Sequence, residues 1–66
     1  MAGRRFAIRL RALRAKRGLS QEGLAAKARL SRTYLARLEL GQHDPSLTTL
    51  RKLAKALGVP VTELLA

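Results

Sequence analysis

Punctuation between helices is the feature that most restricts this chain. Gly18, Gly41 and Gly58 each follow the last apolar residue of a periodic run, where a left-handed C-terminal cap is favoured. Ser20, Ser31 and Ser46 each precede the next run, and a serine hydroxyl there accepts from the unpaired N–H groups of a first turn. Stops and starts this closely spaced leave room only for short helices with connections of about two to six residues.

Apolar spacing supplies the helices themselves. Over 4–17, Phe6, Leu10 and Leu13 fall in one narrow arc at about 100° per residue. Arg14 and Arg17 lie at its edge, and Arg5, Arg9, Arg11 and Lys16 mostly outside it. Ile8 points away from the arc, and the pattern gives it no partner. Over 21–28, Leu24, Ala25 and Ala28 face inward, with Leu19 packing just before the Ser20 cap. Gly23 weakens this helix by up to about 1 kcal/mol relative to Ala and takes the place of the Glu that would complete a capping box. Over 32–40, Leu35 and Leu38 lie on one side and Arg32, Thr33, Ala36 and Arg37 on the other. The polar, proline-containing segment 42–45 is a loop. Leu47, Leu50, Leu53, Ala54 and Leu57 then share an arc of about 120°, and 59–65 forms a short last helix with Pro60 near its first position. There is no strand signal. The expected fold is all-α: five short helices in one domain, 1–66, with a helix-turn-helix core over 20–40.

A chain of 66 residues buries only about 60% of its unfolded surface, so its core must be compact. It has no cysteine and a single histidine, His43, which gives neither a disulfide nor a zinc site, and no cofactor is expected. No apolar run approaches the ~20 residues that cross a bilayer. Arg9, Arg11 and Arg14 interrupt the apolar stretch an export signal would need after Arg4-Arg5. A cytoplasmic protein without membrane contact follows. Charge is the informative quantity: 14 Lys and Arg against 4 Asp and Glu, a formal net charge of +10. Residues 1–37 hold eleven basic side chains against Glu22 alone, while 38–66 are neutral. A basic half of this kind suits a polyanion partner, because each phosphate neutralised releases condensed counterions.

The second and third helices have helix-turn-helix proportions, an eight-residue helix, a three-residue turn and a helix with a basic outer face. Small Ala25 lets the two cross closely. Two segments carry a resemblance: Leu19-Ser20-Gln21-Glu22-Gly23-Leu24-Ala25, and Ser31-Arg32-Thr33-Tyr34-Leu35-Ala36-Arg37-Leu38-Glu39. Together they resemble the lambdoid repressor and Cro type of helix-turn-helix domain, also called the xenobiotic-response-element type. The likeness continues through Pro45-Ser46-Leu47 and from Leu50 to Val59.

That resemblance implies a sequence-specific regulator of transcription that binds double-stranded DNA with the 32–40 recognition helix in the major groove and acts as a repressor-like homodimer on palindromic operator half-sites. It implies base contacts from Arg32, Thr33 and Arg37, although Arg37 touching phosphate alone is the competing reading. Gln21, which opens the second helix, matches a phosphate-contacting position, and a helix N-terminus suits an anion. Ser31, Tyr34, Arg29 and Gln42 are the further phosphate candidates, with simple packing the alternative for Tyr34. Arg14 and Glu39 match a buried salt bridge between the first and third helices.

Three positions depart from the family pattern. Arg29 stands where the turn usually has Gly, so it adopts a strained conformation or alters the turn. Leu40 replaces a polar or basic residue, and the loop after Gly41 carries acidic Asp44, leaving Gln42 and His43 for backbone contacts. His43, Asp44 and Ser46 do not make a catalytic triad: neighbours in one short loop cannot align nucleophile, base and orienter, so the chain is not read as an enzyme and no small-molecule ligand is expected. Val61, Leu64 and Leu65 offer apolar surface for a dimer interface, with Leu64 shared with the core. The alternative to the regulator is a protein-interaction adaptor or antitoxin-like partner that uses the same fold.

Overall fold

The three serine caps set the phase of the helices that follow them. Ser20 Oγ accepts from the Gly23 N–H at 2.9 Å, Ser31 Oγ from Tyr34 at 3.0 Å and Ser46 Oγ from Thr49 at 3.1 Å. The structure, a computed structural model, describes residues 2–66. The helices are α1 (Ala2–Lys16), α2 (Gln21–Ala28), α3 (Arg32–Glu39), α4 (Leu47–Leu57) and α5 (Val61–Leu65). The described residues contain no strand, as the spacing predicts. α1 begins two residues before its expected start, and Pro60 is the N-cap of α5 rather than its first helical residue.

Two helix ends show what the caps accomplish. At the end of α3, Gln42 N–H donates to Arg37 O at 3.0 Å and Gly41 N–H to Leu38 O at 3.1 Å. This is a Schellman closure, which needs Gly41 at φ 75°. Gly41 is also a point of close approach, since a Cβ there would lie 3.4 Å from the backbone of Gly3 and Arg4 in the first turn of α1. At the end of α2 the same reversal falls on Arg29, at φ 57° and ψ 45°. Leu30 N–H then reaches Ala25 O at 2.8 Å. The missing glycine therefore leaves the turn's shape unchanged and is met by strain in Arg29.

One core joins all five helices. Leu10, Leu24, Leu35, Leu38, Leu53, Leu57 and Leu64 are fully buried, with Phe6, Leu13, Ala25 and Ala28 around them. α1 packs on α3 and α5, and α2 on α3 and α4, within 26 × 23 × 21 Å. Two expectations are corrected. Leu47 shares the α4 arc but, as the first residue of its helix, is 57% exposed. Leu64 is completely buried, so it holds α5 to the core and is not free for an interface. Ile8 remains half exposed on the outside of α1, as its phase requires.

A residue other than glycine in the left-handed region costs about 1–2 kcal/mol. Arg29→Gly should therefore raise stability by about 1 kcal/mol despite the greater freedom of an unfolded glycine, while Arg29→Ala, equally strained, should leave it nearly unchanged. Thermal unfolding of the two variants beside the parent separates the outcomes; a destabilised glycine variant would contradict the strain argument.

Candidate nucleic-acid interface

Glu39, the last residue of α3, is a carboxylate whose side chain is only 1% exposed. A buried charge of this kind persists only when it is paired and hydrogen-bonded. Arg14 of α1 supplies two bonds, Nε to Oε2 at 2.6 Å and Nη2 to Oε1 at 3.0 Å. Its remaining Nη1 donates to the Leu19 carbonyl at 2.9 Å, in the α1–α2 connection. Gln21 Nε2 from the start of α2 adds a third bond to Glu39 Oε1 at 3.0 Å. The hydrogen bonds with Glu39 raise the Arg14 pKa above its ordinary value; burial opposes that effect and the Coulombic attraction of Glu39 reinforces it. Among the described residues no buried side-chain nitrogen or oxygen lacks a partner. One carboxylate thus ties α1, α2 and α3 together at the C-terminal end of α3.

The outer face of α3 is open. Arg32, Thr33, Ala36, Arg37 and Leu40 line a shallow groove together with Gln21 and Gln42. Leu35 and Leu38, on the opposite side, are wholly buried and fix the helix in the domain. Arg32, Thr33 and Arg37 are exposed, and Leu40 is 67% exposed at the far end. The groove offers two guanidinium groups, a hydroxyl and two amides, with a methyl and an isobutyl group between them. That set can donate to acceptors on base edges and phosphates and can meet a thymine methyl.

The other predicted contacts are distributed differently. Ser31 is exposed beside this face and its oxygen is engaged as the α3 cap. Tyr34 is half-buried against the core, its hydroxyl 3.3 Å from Thr49 Oγ1 and its ring centroid 6.1 Å from that of His43. Arg29 does not line the groove; it lies in a separate cleft with Lys27, Lys52 and Lys55. Val61 is half-buried and Leu65 is 58% exposed on α5. Ser46 both caps α4 and donates to Thr49 Oγ1 at 3.0 Å, which accounts for its chemistry.

Sequence reasoning missed two contacts. Gln21 turns its amide to Glu39 as well as lining the groove. Arg9 forms an ion pair with Glu63 through Nη2 and donates from Nε to the Glu63 carbonyl at 2.8 Å. The latter residues lie 54 apart in the chain, so no local pattern announces them.

A helix-turn-helix family model matches residues 10–64. The chain belongs to the helix-turn-helix family. The immunity repressor protein of Bacillus phage phi105 is 50% identical over 54 residues, covering 82% of this chain and 38% of that protein. The control protein C.BamHI of Bacillus amyloliquefaciens is 41% identical over 61 residues, covering 91% of this chain and 75% of that one. The crystal structure of the restriction-modification controller protein C.AhdI from Aeromonas hydrophila superposes with a TM-score of 0.92 at 45% identity, over 94% of each chain. The chain spans less than half the length of the phage repressor and of a Deinococcus deserti helix-turn-helix regulator, 38% and 44% respectively. These helix-turn-helix relatives are regulators and not enzymes. No helix among the described residues is long and apolar enough to cross a membrane.

Removing one partner of a buried ion pair strands the other, at a cost of about 3–5 kcal/mol. Arg14→Ala should lose stability on that scale in chemical denaturation, whereas Arg11→Ala, at an exposed position of the same helix, should change it by no more than about 0.5 kcal/mol. Equal small losses would remove Glu39 as the joint between the helices.

Proposed function

We propose that this chain is a sequence-specific double-stranded-DNA-binding regulator of transcription that occupies operator sites in a repressor-like manner. The observation that carries the reading is the convergence of Arg32, Thr33 and Arg37 with Gln21 and Gln42 on one open groove of a helix whose other side is locked in the core. A helix about 10–12 Å across with its side chains fits the major groove, which is about 12 Å wide. Arg32, at the first position of α3, reaches base edges and is matched to O6 and N7 of guanine. Thr33 and Arg37 read beside it, and Gln21, Ser31 and Gln42 hold the backbone phosphates. The repressor and controller proteins named above support the regulatory assignment.

A single module of this size contacts few base pairs, so selectivity calls for a two-fold dimer on half-sites about 34–36 Å apart. Exposed Leu65, with Val61 beside it on α5, is the surface for that contact; Leu64 supports it from within the core.

Selection from a random duplex library should return a palindromic consensus, and Arg32→Ala should relax preference at one base pair of each half-site by about 1–3 kcal/mol. Absence of any enrichment would refute sequence-specific binding. Sedimentation equilibrium should find a dimer that Leu65→Glu converts to monomer; a parent protein that is monomeric at high concentration would refute the α5 interface.

A further inference from the structure

The α3 groove uses little of the positive charge. Arg17, Lys27, Arg29, Lys52 and Lys55 line two adjoining clefts on the α2–α4 side of the molecule, both of which include Lys27 and Lys55. All five side chains are exposed, no carboxylate lines either cleft, and neither ion pair of the described residues involves them. These clefts share no residue with the α3 groove. The N-terminal end of α2 gives Gln21 to the groove, and its other end, roughly two turns away, gives Lys27 and Ala28 to the basic face.

We propose that this α2–α4 face binds the phosphate backbone of a second duplex segment while α3 occupies the first, so that the protein bridges two duplexes. The inference rests on the reading of α3 as a duplex-binding helix. The chemistry of the face selects its occupant. Protein interfaces depend on large apolar or aromatic anchors and are poor in lysine. The apolar lining is Ala28, Ala56 and Leu57, all buried, with Leu19 partly buried against the core, and the exposed large hydrophobic residues Ile8, Leu40, Leu47 and Leu65 all lie elsewhere. Phosphate contacts need only cations and gain their free energy from counterion release. A duplex backbone satisfies this face, whereas an acidic protein segment would find only the partly buried Leu19 as an apolar anchor.

The test saturates an immobilised duplex with protein, washes it, and measures capture of a fluorescent mixed-sequence duplex at about 50 mM salt. The parent captures the second duplex. Lys27→Gln, Lys52→Gln and Lys55→Gln combined should lower capture about tenfold or more and reduce its salt slope by about 3. Binding to the immobilised duplex should be unchanged, and the melting temperature should not fall, since relief of repulsion among the lysines opposes any loss. Capture at the parent level by this variant, or none by the parent, overturns the proposal. So does equal weakening on the immobilised duplex, which would assign the lysines to the first duplex, or preferential capture of a polyglutamate peptide, which would assign the face to an acidic protein. Arg32→Ala with Arg37→Ala reports separately on α3: loss of site preference without loss of capture distinguishes the two faces, and capture by a parent lacking any site preference would sink base reading while leaving bridging in place.

Discussion

The buried carboxylate of Glu39 is the constraint from which the position of α3 follows. Hydrophobic contacts from Leu35 and Leu38 press the helix onto the core, but apolar burial is non-directional and leaves a short helix free to rotate or slide slightly. Bidentate hydrogen bonds are directional. By fixing Glu39 from α1 through Arg14 and from α2 through Gln21, the fold sets the last turn of α3 against two helices at once. The first turn is set separately, by the Ser31 cap. An eight-residue helix pinned at both ends presents Arg32 and Arg37 in a fixed relation to each other, which is what the proposed base reading would require of it.

Gln21 connects that anchor to the interface. Its amide donates to the buried carboxylate on one side while the residue lines the α3 groove on the other. A phosphate contact at this place would therefore be felt by the same hydrogen-bond network that holds α3. α1 also packs closely on the end of α3, where a Cβ on Gly3 would meet the Gly41 carbonyl oxygen at 3.2 Å. The hydrogen bonds that position α3 and the groove proposed for recognition thus meet at Gln21.

What the sequence made legible follows from the range of each interaction. Caps act within one turn, so Ser20, Ser31 and Ser46 announced α2, α3 and α4 to the residue. Periodicity identified the inward faces for the same reason, yet it failed at Leu47, because an arc states which way a side chain points and says nothing about whether another helix covers it. Arg14 with Glu39 was reached through family resemblance; spacing alone placed both only at helix margins. Arg9 with Glu63, and the bond from Gln21 to Glu39, join residues far apart in the chain and have no local signature. The groove residues of α3 were legible from helical phase, whereas the displacement of Arg29 into a different cleft depended on the left-handed turn and on α4 lying alongside.

Charge illustrates the same limit most clearly. In the sequence the net +10 belongs to the first 37 residues, which suggests a basic half and a neutral half. Folding dissolves that division. Glu39 and Glu63, acids of the neutral half, are taken up by Arg14 and Arg9 of the basic half, while Lys52 and Lys55 of the neutral half join Lys27 and Arg29 on one face. Asp44 lies at the first turn of α1 beside Gly3, where a helix N-terminus favours an anion. The remaining cations are left facing water with few counter-charges, and their mutual repulsion opposes the compact state. A bound polyanion removes that repulsion in the folded protein more than in the expanded chain, so ligand binding and stability are linked. The excess charge that suits a polyanion would also be the term by which such a partner stabilises the fold.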